Sequence, residues 1–319
     1  MKRALIIGIN DYEKISPLGG AVNDAEKMAA LISKHEDGSP NFDTKIVTSD
    51  NKQITKKIMR SLLTDLLTKP ADMAFFYFSG HGTCTNLGGY LCTYETDHYD
   101  EGFPMQELLA LINQSPIKEI VVMLDCCQSG SLGAIPALNS GITVVKEGTS
   151  ILTASREDES SVEINGSGIF TSLVCDALSG SAADLLGIIT PAGVYSHVEQ
   201  SFGAWEQRPL FKSYVSRSTA LRKTIPKVSL ETLRAITSLF LAQDAIINLD
   251  PSYEHTQTDL AKPENVVKFK LLKKIQVVGL VKVNREPDPD LYWACIERRT
   301  CELTPLGKFY WHLVSAKKI

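Results

Sequence analysis

Short apolar runs alternate with amphipathic segments through the first 220 residues of this 319-residue chain. Several runs are β-branched or aromatic throughout, which is typical of strands buried on both faces of a sheet. Their alternation with helical patterns indicates an α/β domain whose sheet is mostly parallel. The predicted strands are Ala4–Ile9, Lys45–Thr48, Ala74–Phe78, Ile120–Leu124, Ser150–Thr153 and Phe211–Val215, and the predicted helices are Ala21–Lys34, Thr55–Leu67, Met105–Asn113, Ile169–Leu178 and Ala192–Phe202.

A second segment, with a different order of elements, follows a link near Arg217–Pro226. We predict a small α+β domain over residues 228–319, after a larger domain over residues 1–218. The charges agree with two domains, because residues 1–220 contain 17 Lys/Arg and 26 Asp/Glu, whereas residues 221–319 contain 16 and 11. The predicted elements are helices at Val228–Gln243 and Pro263–Ile275, strands at Leu280–Val283 and Leu291–Ile296, and a last helix from Thr304-Pro305.

The composition is typical of a globular protein, with 44% hydrophobic and 22% charged residues. No stretch approaches the roughly 20 consecutive apolar residues of a membrane-spanning helix, so we expect a cytoplasmic protein without a membrane partner. The seven cysteines are odd in number and include no CxxC pair. This pattern predicts neither a disulfide framework nor a structural metal site.

Two of the predicted strands end in residues suited to nucleophilic catalysis. One leads into Ser79-Gly80-His81-Gly82, and the next into Asp125-Cys126-Cys127-Gln128-Ser129-Gly130. If the strands are neighbours, their carboxyl ends bring His81 and Cys127 together, and an imidazole there raises the thiolate fraction of the cysteine. The backbone N–H groups of Gly82 and Cys127 are candidates for stabilising an oxyanion. The alternative is that both cysteines only pack in the core.

These two motifs, with His81 and Cys127 46 residues apart, resemble those of the caspase-like cysteine peptidases, and most closely the metacaspase-type branch. The resemblance covers residues 1 to about 218 and implies a mostly parallel six-stranded sheet flanked by helices. It identifies Cys127 rather than Cys126 as the nucleophile, with His81 as its general base. Further matching segments are Ala4–Asn10, Ala21–Ala25, Leu152–Ser155 and Gly168–Thr171.

The resemblance also implies a substrate. Metacaspase-type enzymes cleave after Arg or Lys, and the acids that bind such a side chain correspond here to Asp24 and Asp125, with Ser155 as a further substrate-binding residue. Two carboxylates favour a guanidinium through charge-assisted hydrogen bonds. Each acid has an alternative role, because Asp24 could cap the following helix and Asp125 could be a hydrogen-bonded acid at a strand end. A caspase-like enzyme specific for aspartate is the rival hypothesis, although the chain has no matching pair of basic residues.

An acidic cluster follows the His81 strand and consists of Glu95, Asp97, Asp100 and Glu101. Oxygen ligands of this kind suit calcium, which some metacaspases use. The spacing defines no site, so we expect a solvated loop and no cofactor, with calcium as the open alternative. Asp97 could instead shape the substrate groove.

The second segment resembles a winged-helix module over about residues 228–316. Such modules bind DNA or protein, and the lack of a dense Arg/Lys stripe favours an activating ligand or protein over nucleic acid. The sequence therefore predicts a regulated cysteine endopeptidase, similar to prokaryotic effectors of stress response or anti-phage defence. The alternative function is a latent or inactive caspase-fold regulator that binds protein or DNA through this segment.

Overall fold

The computed structural model describes residues 1–85, 88–126, 145–154, 163–164, 167–202, 209–217, 219–256 and 259–319. Its backbone contacts divide the chain into two compact units. The first consists of Met1–Ala183 with Ile188–Ile225, and the second of Asp184–Gly187 with Pro226–Ile319.

The strands of the first unit are β1 (Lys2–Gly8), β2 (Phe42–Thr48), β3 (Met73–Ser79), β4 (Gly82–Thr85), β5 (Gly88–Leu91), β6 (Phe103–Pro104), β7 (Glu119–Asp125), β8 (Thr149–Thr153), β9 (Glu163–Ile164), β10 (Ser167–Gly168), β11 (Ile188–Ile189), β12 (Leu210–Tyr214) and β13 (Arg222–Lys223). Six of them form the central sheet, in the order β12-β8-β7-β3-β1-β2. All neighbours in it are parallel except β12, which runs antiparallel to β8. The predicted six-stranded, mostly parallel sheet is confirmed.

Helices cover both faces of this sheet, and each face has its own hydrophobic cluster. Side chains of β3 alternate between the clusters, as strand geometry requires, so that Phe76 packs with one and Phe75 with the other. Helices α2 and α3 contribute to the Phe76 cluster, and α1, α4 and α5 to the Phe75 cluster. Their bounds are α1 (Ala21–Ser33), α2 (Lys56–Thr68), α3 (Met105–Gln114), α4 (Ile169–Asp176), which continues into a π-turn at Ala177–Ser181, and α5 (Pro191–Ser201).

The carboxyl ends of the central strands lie in register. Gly8 of β1, Ser79 of β3 and Asp125 of β7 are paired across the sheet. The first turn of α1 lies so close to β1 that a Cβ on Gly8 would be 2.4 Å from the carbonyl oxygen of Ala21. Glycine therefore lets α1 begin directly at the edge where β3 and β7 end.

A small antiparallel sheet with the order β4-β5-β6 follows β3. It was not predicted, because strands of two to four residues are too short to show an alternating pattern. Gly82 is paired with Leu91, and the amide of Cys92 donates to the carbonyl of His81. This ladder fixes the backbone immediately after the central strand that precedes His81.

The second unit contains a three-stranded antiparallel sheet and five α-helices among the residues that the structure describes. Its core includes Leu233, Phe240, Leu272, Ile275 and Leu303. The sheet order is β14-β16-β15. The elements are α6 (Leu230–Arg234), α7 (Ile236–Leu239), β14 (Ile246–Asn248), a 3₁₀ turn at Pro251–Tyr253, α8 (Pro263–Val277), β15 (Val281–Val283), α9 (Leu291–Ile296), β16 (Thr300–Leu303) and α10 (Pro305–Ser315).

Two predictions for this unit are wrong. Leu291–Ile296 is a helix rather than a strand, because the Asp290 side chain accepts the N–H groups of Tyr292 and Trp293 and starts a helical turn. Residues 228–243 form two short helices instead of one, separated at Ala235. The winged-helix resemblance stays a prediction.

Candidate active site

His81 lies two residues beyond the last paired residue of β3, and its ring is held by a backbone carbonyl. The Nε2 atom is 2.9 Å from the carbonyl oxygen of Ser16. A carbonyl only accepts hydrogen bonds, so Nε2 carries the proton and donates. In a neutral imidazole the other nitrogen, Nδ1, then has the lone pair. The Ser16 carbonyl thus selects the tautomer in which Nδ1 can act as the base.

Tyr12 fixes the backbone and the ring of the same histidine. The amide of His81 donates to the Tyr12 hydroxyl oxygen at 2.8 Å. The two rings are tilted by 48° with centroids 5.0 Å apart. The histidine is therefore bound at its amide by a side chain and at its imidazole by a carbonyl, which restricts its orientation before a substrate arrives.

The two vicinal cysteines follow β7, the strand next to β3. Ser79 is paired with Asp125, and the amide of Gly80 donates to the Asp125 carbonyl at 3.2 Å. Cys126 is 1% exposed and packs in the hydrophobic cluster that contains Phe76. Its side chain is therefore part of the hydrophobic core. Cys127 lies outside the described residues.

Asp24 and Asp125 both contact Gly168, although they come from α1 and β7. The amide of Gly168 donates to Oδ2 of Asp24 at 3.0 Å. A Cβ on Gly168 would lie 2.5 Å from Oδ2 of Asp125, so only glycine leaves room for this carboxylate. The two acids are 2% and 6% exposed. Two buried carboxylates therefore lie against one residue, the N-cap of α4.

The N-terminus of α4 stabilises both negative charges. Asp24 accepts the amide of Gly168, and Asp125 accepts the amide of Thr171 at 3.2 Å. These amides belong to the first turn, where N–H groups have no partner within the helix and the helix dipole favours anions. The alternative that Asp24 caps its own helix is wrong, because the N-cap of α1 is Gly20 and it has no side-chain cap.

The hydroxyl group of Thr171 also donates to Oδ2 of Asp125, and Tyr77 forms a hydrogen bond with the same hydroxyl. Tyr77 and Thr171 are both fully buried. Burial, together with the charges of Asp125 and Asp24, holds the pKa of Tyr77 well above its usual range. Tyr77 is consequently neutral at neutral pH and can donate a hydrogen bond.

A groove of about 670 Å³ lies beside the candidate base. Its lining includes His81 and Gly82, and also Ser16, whose carbonyl binds the imidazole. The carbonyl of His81 accepts the amide of Cys92, so these two residues form a hydrogen-bonded pair of the antiparallel ladder. Hydrogen-bonded and non-hydrogen-bonded pairs alternate, and the next pair is Gly82 with Leu91. The N–H of Gly82 therefore points away from β5. The predicted oxyanion role of Gly82 thus stays a prediction, with its amide adjacent to the base. The other candidate donor, Cys127, and the predicted substrate-binding residue Ser155 lie outside the described residues.

Three carboxylates of the acidic cluster accept hydrogen bonds from groups in their own loop or at the start of α2. Glu95 accepts the amide of Lys56 at the start of α2, and Asp97 accepts the amides of Tyr99 and Asp100. Asp100 pairs with the Lys56 ammonium, which holds the pKa of this carboxyl below its usual value. Within the described part of the chain, no three His, Cys, Asp or Glu side chains form a group that could hold a metal ion. Asp97 and Glu101 line the groove.

Other titratable groups near the site are less suited to catalysis. Burial raises the pKa of Cys175 to about 12, and the charge of Asp24 adds to the shift, so this thiol stays protonated. His98 also lines the groove, but its ring packs edge-on against Tyr99.

No periodic pattern in the sequence indicates the roles of Ser16, Tyr12, Thr171 and Tyr77. The first two contact His81 through a loop, and the last two reach Asp125 from another helix and another strand. Gly168 and Thr171 do occur in a segment of family resemblance, Gly168–Thr171, which could have indicated a contact with the site.

No helix in the ranges that the structure describes is long and apolar enough to cross a membrane.

Solved structures share the fold of a large part of this chain. Protein GSU0716 from Geobacter sulfurreducens superposes with a TM-score of 0.51 at 15% identity, over 70% of this chain and 97% of that chain. Caspase-1 from Spodoptera frugiperda gives a TM-score of 0.52 at 13% identity, over 70% and 90%. At this level of identity the comparison concerns the fold alone.

Sequence relatives include Metacaspase-2 of Trypanosoma brucei brucei, which is 33% identical over an alignment of 153 residues that covers 42% of this chain and 43% of the relative. Metacaspase-1A of Aspergillus oryzae is 31% identical over an alignment of 169 residues that covers 46% of this chain and 38% of the relative. The chain thus spans less than half the length of these relatives. The Caspase domain family, peptidase C14, matches residues 1–234, which is most of the chain. The chain belongs to the caspase-domain family.

Proposed function

We propose that this chain is a cysteine endopeptidase that cleaves peptide bonds after Arg or Lys, with Cys127 as the nucleophile and His81 as the general base. The observation that most supports it is the pair of buried carboxylates, Asp24 and Asp125, on Gly168. This pair lies at the sheet edge where the strand before His81 ends beside the strand before Cys127. Relatives named metacaspases and the caspase-domain match support the same class of reaction.

In the proposed reaction, His81 acts first as a general base and then as a general acid. Nδ1 of His81 takes the proton of the Cys127 thiol, and the thiolate attacks the carbonyl carbon. The oxyanion of the tetrahedral intermediate accepts hydrogen bonds from the amides of Gly82 and Cys127. The imidazolium then donates its Nδ1 proton to the leaving amine, which leaves an acyl-enzyme. Water attacks the thioester with His81 as base again, and the acid product and the free thiol are released.

The acid pair is the basis of the proposed preference for a basic side chain. Two carboxylates at the end of one helix form a site of negative potential, and their hydrogen bonds to Gly168 and Thr171 keep them in place. A guanidinium or ammonium gains charge-assisted hydrogen bonds there, whereas an aspartate side chain is repelled. This supports basic over acidic specificity.

Control of the peptidase is assigned to the second unit, through an activating ligand or protein rather than nucleic acid. Several of its apolar side chains are exposed, among them Leu241, Val277 and Phe309. Single exposed apolar side chains are common on protein surfaces, so the preference for a protein or ligand rests on the lack of a dense Arg/Lys stripe in the sequence of this segment. A regulated peptidase of this kind would suit an effector in stress response or anti-phage defence.

The first prediction tests the substrate class with the full wild-type chain. Four fluorogenic peptides differ only in the residue before the scissile bond, which is Arg, Lys, citrulline or Asp, and each is assayed with calcium and with chelator. Citrulline has the shape of Arg without its charge, so we expect its kcat/KM to be lower by about 100-fold, as befits charged hydrogen bonds. Cleavage after Arg and Lys is expected, with none after Asp. A preference for Asp or equal cleavage after Arg and citrulline would contradict the proposal.

A further inference from the structure

We propose that Thr171 and Tyr77 are positioning residues that orient the Asp125 carboxylate for a guanidinium and so set a preference for Arg over Lys. The inference rests on the proposed function and specifies how its substrate site discriminates between the two basic side chains.

Thr171 holds one oxygen of Asp125 with two donors. Its amide is 3.2 Å from Oδ2, and its hydroxyl donates to the same oxygen. Thr171 is fully buried at the first turn of α4, so its own backbone and side chain are fixed. A carboxylate held by two donors from one rigid residue has a defined plane. Gly168 packs on the same carboxylate and limits its movement on that side.

Tyr77 completes a directed chain of hydrogen bonds. The carboxylate of Asp125 only accepts, so the single hydroxyl proton of Thr171 is donated to it. The Thr171 oxygen must then accept from Tyr77, whose hydroxyl forms a hydrogen bond with it. The chain runs from Tyr77 on β3 through Thr171 on α4 to Asp125 on β7. Buried hydrogen bonds in such a chain strengthen one another.

The orientation of the carboxylate matters more for Arg than for Lys. Oδ2 of Asp125 already accepts two hydrogen bonds from Thr171, so a guanidinium bonds to this carboxylate mainly through Oδ1, and its donors, fixed in one plane, need that oxygen in a defined orientation. An ammonium is a compact charge with rotatable donors and tolerates a turned carboxylate. Loss of the Thr171 hydroxyl should therefore weaken recognition of Arg and change recognition of Lys little.

The test compares Thr171→Val, which keeps the shape and removes the hydroxyl, with Thr171→Ser, which keeps the hydroxyl. We measure kcat/KM for matched Arg and Lys peptides and, by calorimetry, the Kd of both peptides for the same variants combined with Cys127→Ala. Thr171→Val is expected to weaken Arg recognition about 10-fold or more and Lys recognition less than about 3-fold. Thr171→Ser is expected to retain the wild-type Arg to Lys ratio.

Tyr77→Phe provides a second variant, which removes only the outer donor and keeps the aromatic ring in the core. It is expected to lower the Arg to Lys ratio by about 3-fold to 10-fold, and thermal unfolding of each variant checks that it is folded. Unchanged ratios in Thr171→Val and Tyr77→Phe, or equal losses for both peptides, would overturn the positioning role. A different outcome would contradict the proposed function itself. If the single variant Cys127→Ala, with Thr171 and Tyr77 intact, binds neither the Arg nor the Lys peptide, the proposed basic specificity is wrong, and the positioning role is wrong with it.

Discussion

Replacing Cys127 with alanine is expected to lower kcat/KM for an Arg peptide by at least about 10⁴-fold, because the sulfur that attacks the carbonyl is lost. His81→Ala is expected to act in the same direction, by about 10²-fold to 10⁴-fold, since it removes the acceptor of the thiol proton. Release of the fluorophore by the purified full-length variants measures both effects.

The matched control is the neighbouring residue. Cys126 is buried in the hydrophobic cluster that contains Phe76, so Cys126→Ala removes a small apolar side chain and leaves the chemistry intact. Its kcat/KM should stay within about 3-fold of wild type, while the free energy of unfolding falls by about 1 kcal/mol. Activity that survives in Cys127→Ala and disappears in a folded Cys126→Ala would reverse the assignment of the nucleophile.

Neutralising either acid of the pair is expected to weaken cleavage after Arg by about 100-fold, corresponding to about 3 kcal/mol for hydrogen bonds to a charged group. Asp24→Asn and Asp125→Asn keep the size of the side chain and remove its negative charge. The weak cleavage after citrulline should change little, because the uncharged citrulline side chain forms no charge-assisted hydrogen bond with either acid. Kinetics with the Arg and citrulline peptides measure the difference.

Asp43→Asn is the matched control for this series. Asp43 is exposed on β2, so its replacement makes the same change in net charge away from the acid pair. We expect it to leave both peptides unaffected. A comparable loss in Asp43→Asn would show that overall charge, rather than a local site, attracts the substrate. Equal losses for Arg and citrulline in the acid-pair variants would show that Asp24 and Asp125 are structural.

Much of the first unit could be predicted from hydrophobic pattern alone. A strand such as β3, with seven buried residues, is buried on both faces, and such strands occur in parallel sheets covered by helices. The glycine-flanked motifs at the ends of β3 and β7 then locate the candidate site, because parallel strands present their carboxyl ends at one edge.

The contacts around the acids could not be predicted in this way. Thr171 lies 46 residues from Asp125 along the chain and 94 from Tyr77, and nothing in a periodic pattern relates three such positions. From the sequence pattern, Thr171 cannot be distinguished from any other threonine buried in a helix. Its role depends on how α4 approaches the sheet, which is a property of tertiary packing.

The error at Leu291–Ile296 has a local cause. Its apolar and aromatic residues suit a strand, and a run of six is too short for its period to decide. The deciding signal is Asp290, which precedes the run and caps it as a helix. The capping residue, rather than the apolar run, therefore determines the element here.

The most direct test of the central claim is to trap the nucleophile with a peptide chloromethyl ketone that ends in Arg, and to locate the adduct by mass spectrometry of a digest. The wild-type chain is expected to be modified at Cys127 alone, with loss of activity in proportion to modification, and Asp125→Asn is expected to react much more slowly. An adduct on Cys126 or on another cysteine that accompanies inactivation, with Cys127 unmodified, would contradict the assignment of Cys127 as the nucleophile.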